Sequence, residues 1–355
     1  MTPDFQQLMR NAARLTRSGD LHAATAAIQA ALAGTAPGPA APMPTRDMGE
    51  VIHIVAREVS DTDAPAPRAA DAPGPGRFIA GSHSTAAGRR DFKLYIPPGA
   101  GERPLPLLVM LHGCTQNPDD FAAGTAMNAL AEAQGFFVLY PAQSQQANPQ
   151  RCWSWFKHSH QARGRGEPAL LAGMTREVMA AHAIHPDRVY VAGLSAGGAM
   201  AAILGDAYPE LYAAVGVHSG LATGVATDLP SALGAMKGGG QPLRAGASGV
   251  ATIVFHGDAD TTVHPANGQQ VITASAGLAS SVEVEHVATP GGRASTRSVH
   301  RAPDGAVVAE HWLVHGAPHA WSGGSAHGSY TDARGPDASA EMLRFFLEHP
   351  RRPGH

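Results

Sequence analysis

The segment Gly193-Leu194-Ser195-Ala196-Gly197-Gly198 sets one hydroxyl among small residues, directly after the apolar run Val189-Tyr190-Val191-Ala192 and before an Ala-rich stretch. Small neighbours permit a sharp strand-to-helix turn that lifts a serine hydroxyl clear of a sheet, so Ser195 is the expected nucleophile. A hydroxyl attacks only when a base takes its proton. That base in turn needs an acid to hold its tautomer and to stabilise the imidazolium. In a turn of this type both follow the serine, acid first.

The run Ala251 to His256 ends in Gly257-Asp258-Ala259-Asp260-Thr261-Thr262-Val263, which puts two carboxylates in a loop after a strand. Asp260 is the expected acid, because its spacing to Val263 resembles the usual D-x-x-V pattern; Asp258 is expected to shape or cap the turn. With nineteen histidines in the chain, position must select the base. His319 is expected, in the loop His315-Gly316-Ala317-Pro318-His319-Ala320-Trp321-Ser322 that follows the run His311 to Val314. His315 is second, being closer to the strand end, and His327 in its Gly/Ser segment is expected at the surface. Acyl transfer also needs donors aimed at the developing oxyanion. The backbone amide of Ala196 supplies one by position. The amide of Cys114, in His112-Gly113-Cys114-Thr115-Gln116 after the run Leu107 to Leu111, is expected to supply the other. This chemistry requires no metal and no cofactor.

These loops need rigid supports. Leu107 to Leu111, Phe136 to Tyr140, Val189 to Ala192, Ala213 to His218 and Ala251 to His256 are short apolar runs of the kind buried on both faces. Helical stretches at Phe121 to Gln134, Leu170 to Ala183, Ala199 to Ala207 and Ala338 to Glu348 accompany them. Such alternation predicts an α/β fold, a mostly parallel sheet with helices on both faces. Arg77 to Ser82 and Asp91 to Ile96 predict a hairpin at one sheet edge. With the serine turn, the class is the α/β-hydrolase fold.

Three parts are expected: a helical hairpin over 1–33, an Ala/Pro/Gly-rich linker over 34–76, and the catalytic domain over 77–350. The hairpin follows from Phe5, Leu8, Met9, Ala12 and Leu15, then Leu21, Ala24, Ile28 and Leu32, at helical spacing around Ser18-Gly19-Asp20. It is too small to fold well alone and is expected to pack on the main domain, a partner or an apolar surface. The linker is expected to be flexible, since it cannot bury enough apolar surface to offset its ordering entropy.

With 26 basic and 29 acidic side chains, the balance suggests no nucleic-acid partner. No apolar run reaches the roughly 18 residues of a membrane-spanning helix. The start Met1-Thr2-Pro3-Asp4-Phe5 lacks the basic and apolar regions of a secretory leader, which points to the cytoplasm or to export by a route the sequence does not display. Two cysteines allow one bridge, with two free thiols as the simpler reading.

Five segments in order resemble the polyhydroxybutyrate depolymerase family of esterases, related to feruloyl and acetylxylan esterases. They are Leu111-His112-Gly113-Cys114-Thr115-Gln116, Arg151-Cys152-Trp153-Ser154-Trp155-Phe156, Gly193-Leu194-Ser195-Ala196-Gly197-Gly198, His256-Gly257-Asp258-Ala259-Asp260 and His319-Ala320-Trp321-Ser322-Gly323-Gly324. The resemblance spans roughly residues 78 to 348 and matches the type 1 order, with the oxyanion loop ahead of the serine. It implies hydrolysis of short-chain polyhydroxyalkanoates or similar esters by Ser195, Asp260 and His319. It further implies a Cys114–Cys152 disulfide and hence an oxidising, extracellular setting, against the missing leader. Trp153, Trp155 and Trp321, with Phe156, fall on loops beside the site and are expected to bind an apolar or sugar-linked ester, ordinary loop packing being the alternative. Secreted relatives of this type carry a C-terminal polymer-binding domain, whereas this chain ends at His355, so tight adsorption to crystalline polymer is not expected unless the hairpin substitutes as an anchor. A feruloyl or acetylxylan-type carbohydrate esterase would show the same machinery. A non-catalytic binding protein on the same scaffold would have no need to keep all of it.

Overall fold

In the computed structural model the described residues are 75–85, 88–240, 249–277 and 279–351; the expected hairpin and nearly all of the linker lie outside them. Among the described residues a ten-stranded sheet runs in the order β1-β2-β4-β3-β5-β6-β7-β10-β9-β8. Its members are β1 (Arg77–Thr85), β2 (Gly88–Ile96), β3 (Leu105–Leu111), β4 (Phe137–Pro141), β5 (Ile184–Leu194), β6 (Ala214–His218), β7 (Ala251–Gly257), β8 (Ser281–Ala288), β9 (Ala294–Arg301) and β10 (Val307–Val314). The centre, β4-β3-β5-β6-β7-β10, is parallel throughout. Antiparallel pairs close both edges: β1 and β2 on one side, β9 and β8 on the other.

The parallel strands read as continuous apolar runs because both their faces are covered. All residues of β3, β4 and β6 are buried. Strand alternation sorts β3 into two cores: Leu107, Val109 and Leu111 face one way, Leu108 and Met110 the other. The first core is covered by α3 (Gly166–Ala181), α4 (Ala196–Ala207), α5 (Leu229–Gly238) and α6 (Ala266–Ser275). The second is covered by α1 (Pro118–Thr125), α2 (Met127–Gln134) and α7 (Ala338–Glu348). The architecture is the α/β-hydrolase fold, with the edge hairpin where the sequence places it.

The helix expected over Phe121 to Gln134 is two helices, divided at Ala126 with φ 51°. Tertiary partners claim the carbonyls that would have continued it: Ser325 N–H donates to Gly124 O at 2.8 Å, and Ser339 Oγ to Thr125 O at 2.7 Å. Strands β8 and β9 and helices α5 and α6 are additions to the elements singled out from the sequence.

Candidate active site

Strand β5 ends at Leu194 and helix α4 starts at Ala196, so Ser195 alone makes the corner, with φ 58° and ψ −118°. A non-glycine residue held there stores strain of about 1–3 kcal/mol, which the surrounding structure must impose. Ser195 N–H donates to His218 O at 2.8 Å and Ser195 O accepts from Ala199 N–H at 2.9 Å. Two glycines make the turn physically admissible. A Cβ on Gly193 would lie 2.4 Å from the Gly197 carbonyl carbon, and one on Gly197 would lie 2.0 Å from Leu111 O.

Two carboxylates at the end of β7 meet the two imidazoles of the loop after β10, and each carboxylate bonds a different one. Asp260 Oδ2 accepts from His319 Nδ1 at 2.6 Å, while its Oδ1 accepts the amides of Thr262 at 2.9 Å and Val263 at 2.8 Å. Asp258 instead takes His315 Nδ1 at 2.9 Å and the Gly316 amide at 2.6 Å, stapling the loop that carries His319. Burial works against the Asp260 carboxylate, but the imidazoles of His256 and His319 and the Val263 amide outweigh it and hold its pKa below the ordinary carboxylate value. With Nδ1–H directed at Asp260, His319 has Nε2 as its basic nitrogen. His327 is exposed, as expected.

The loop expected to hold the oxyanion is fixed from behind by His112. Its Nε2 accepts the Gln143 amide at 3.1 Å, so Nδ1 carries the proton and donates to Gly113 O at 2.7 Å. Burial lowers the His112 pKa to about 4, which keeps this neutral tautomer. In a planar trans peptide N–H and C=O point in opposite directions, so tying back Gly113 O turns the Cys114 N–H away from His112. The Gly113 amide is itself taken by Gln116 Oε1 at 2.9 Å. Cys114 is joined to Cys152 by a disulfide, linking this loop to the aromatic loop.

Gly113, Cys114, Ser195, Ala196 and His319 line one cleft of about 400 Å³. The ring assignments need correction. Trp155 and Phe156 line the cleft, packed edge to face at 5.7 Å. Trp153 and Trp321 do not: both are buried. A buried indole N–H must find an acceptor. Trp153 donates to His112 O at 3.0 Å, and Trp321 to Ser339 Oγ at 3.0 Å while stacking on His218 at 5.0 Å. Their work is to hold loops. The apolar wall comes instead from α5, whose Leu229, Ala232, Leu233 and Met236 face the cleft at helical i, i+3, i+4, i+7 spacing, together with Tyr330. That periodicity was the available signal for it.

His218 lies beneath the serine turn. Burial first, then the neighbouring His256 and His319, lowers its pKa to about 3. Its neutral Nε2 accepts the Ser322 amide at 2.9 Å, which anchors the segment following His319.

Residues 90–297 match the family model described as esterase PHB depolymerase. The chain belongs to this family. The matched span includes Ser195, Asp260 and the oxyanion loop and stops short of His319. Among relatives of this PHB depolymerase family member, poly(3-hydroxyalkanoate) depolymerase C of Paucimonas lemoignei is 35% identical over 180 residues, covering 47% of this chain and 43% of that protein. Feruloyl esterase B of Thermothelomyces thermophilus is 31% identical over 140 residues, covering 39% of this chain and 47% of that protein. The chain thus spans less than half the length of either relative. Among solved structures, the acetyl xylan esterase from Aspergillus awamori superposes with a TM-score of 0.58 at 19% identity, covering 78% of this chain and all of that one. It supports the fold.

Proposed function

We propose that this family member is a serine esterase that hydrolyses ester bonds of short-chain polyhydroxyalkanoates or their oligomers through an acyl-enzyme. The observation that carries the reading is the 2.6 Å His319–Asp260 pair on the cleft that also presents Ser195 at its strained corner. Ser195 Oγ attacks the ester carbonyl carbon while His319 Nε2 takes its proton; the Cys114 and Ala196 amides hold the oxyanion. His319 then gives the proton to the leaving alkoxide. Water, deprotonated by the same imidazole, attacks the acyl-enzyme, and Ser195 recovers its proton as the acid leaves.

The substrate class rests on the cleft lining. Leu221, Leu229, Leu233, Met236 and Trp155 suit an apolar acyl chain. The similarity to a poly(3-hydroxyalkanoate) depolymerase points the same way. A second reading, a carbohydrate esterase, draws on the Trp155–Phe156 ring pair, which could stack on an aryl or sugar ring, and on the feruloyl and acetylxylan relatives. Turnover on hydroxybutyrate oligomers, feruloyl esters and acetylated xylan separates the two. Ser195→Ala should abolish turnover on all of them in a folded protein; retained turnover would refute the nucleophile.

The division into a hairpin over 1–33, a linker over 34–76 and a catalytic domain over 77–350 belongs to this proposal, with the hairpin as an anchor for polymer or a partner. Removing residues 1–74 should then lower activity on polymer film more than on a soluble ester, and equal loss on both would sink the anchor. The disulfide supports an oxidising, extracellular setting.

A further inference from the structure

Asp260 is approached by two imidazoles. His319 reaches Oδ2 from the cleft, and His256, fully buried near the end of β7, sets its Nε2 3.5 Å from the same oxygen. That nitrogen also lies 2.9 Å from the carbonyl oxygen of Val263. A carbonyl oxygen can only accept, so Nε2 carries a proton and His256 is a donor poised between the two ends of the Asp260–Val263 turn. The ring cannot swing away. It lies against Gly268 of α6, where a Cβ would sit 2.8 Å from Nδ1. Nδ1 itself is buried with no hydrogen-bond partner among the described residues. An apolar residue would fill this core position without leaving a polar atom unpaired. Its imidazole is explained by the nitrogen that faces Asp260.

We infer that His256 is a positioning residue for the ester hydrolysis: its Nε2–H fixes the Asp260 carboxylate so that Oδ2 stays aimed at His319 and stays ionised. The inference rests on the Ser195–His319–Asp260 reading. When His319 becomes an imidazolium, the acid must hold that charge without taking the proton. A second N–H beside Oδ2 lowers the basicity of that oxygen and so opposes the transfer. The other titratable groups nearest His256 are His218 and His311, both kept neutral by burial, so neither adds a charge that competes for Asp260.

The test compares His256→Phe, His256→Gln and His256→Asn with wild type and Ser195→Ala in the full chain, using a p-nitrophenyl ester. Losing the N–H that is bonded to Val263 O and directed past it at the charged Asp260 carboxylate should lower kcat about 10- to 100-fold with KM unchanged in His256→Phe. His256→Gln, whose amide N–H reaches nearly as far, should recover most of it, and the shorter Asn should not. The low-field proton resonance of His319 Nδ1–H should move in the Phe variant and return in the Gln variant. Wild-type kcat in His256→Phe, with Ser195→Ala inactive, would overturn the positioning role alone; an active Ser195→Ala would overturn the underlying reading. Should the Phe variant not fold, equal kcat for Gln and Asn would overturn the role as well.

Discussion

Three histidines that fold neutral make stability of the domain acid-sensitive, and the size of the effect follows from their surroundings. Burial lowers the pKa of His112 to about 4, of His218 to about 3 and of His311 to about 4, from an ordinary value near 6.5. A folded pKa below the unfolded one means that the native state binds fewer protons. The contribution is therefore complete above the unfolded value and is lost as pH falls toward the folded values. At about pH 5 each unfolded imidazole is almost fully protonated and each folded one mostly neutral, so unfolding takes up nearly three protons, a slope of about 4 kcal/mol per pH unit. Integrated from about pH 7 to about pH 5, the loss is about 5 kcal/mol, comparable with the whole stability of an ordinary domain. The Asp260 contribution has the same sign but a lower window: its depressed pKa matters only below the ordinary carboxylate range, so it does not account for this one. Urea unfolding across this pH range measures the slope directly. An uptake of less than one proton would refute the burial argument, and His311→Leu, outside the cleft, should cut the slope by about a third.

Two further outcomes follow from the loop geometry. Reducing Cys114–Cys152, which closes a separation of 38 residues, should cost about 2–4 kcal/mol of stability and lower kcat at least about tenfold, because the Cys114 amide loses its support; unchanged kcat in protein with titratable thiols would contradict it. Trp153→Phe leaves His112 O without its indole donor and should cost about 1–3 kcal/mol with KM unchanged, whereas Trp155→Ala, which empties a buried ring site on the cleft, should raise KM besides costing about 3–5 kcal/mol, and a raised KM in the first with an unchanged KM in the second would show the rings misassigned.

The central sheet was legible because parallel strands covered on both faces leave an unmistakable trace: short runs in which nearly every residue is apolar. β8 leaves none of that. It alternates Val with Glu and sits at the free edge, exposed along nearly its whole length, so its sequence is that of a surface segment and its pairing with β9 is set by the chain around it. The division of the expected α1–α2 helix was equally invisible, since the donors that end it, Ser325 N–H and Ser339 Oγ, come from far along the chain.

For the site, order along the chain located the loops, but composition obscured what holds them. Nineteen histidines diluted each one as a signal. A neutral imidazole has one donor and one acceptor on opposite sides of a rigid ring, which lets it join a carbonyl to an N–H that no strand pairing connects. His112 does so between Gly113 O and the Gln143 amide. His218 ties the Ser322 amide to the strand beneath the serine turn, and His256 bonds Val263 O beside Asp260. Each of these rings must be buried to brace its loop, and for His112 and His218 burial is also what keeps the ring neutral. The bracing of the oxyanion loop and of the loop after His319 therefore has the same physical origin as the acid sensitivity: protonating His112 or His218 would convert the acceptor nitrogen into a donor facing a backbone N–H, so the loops should loosen in the pH range where the fold loses its stability.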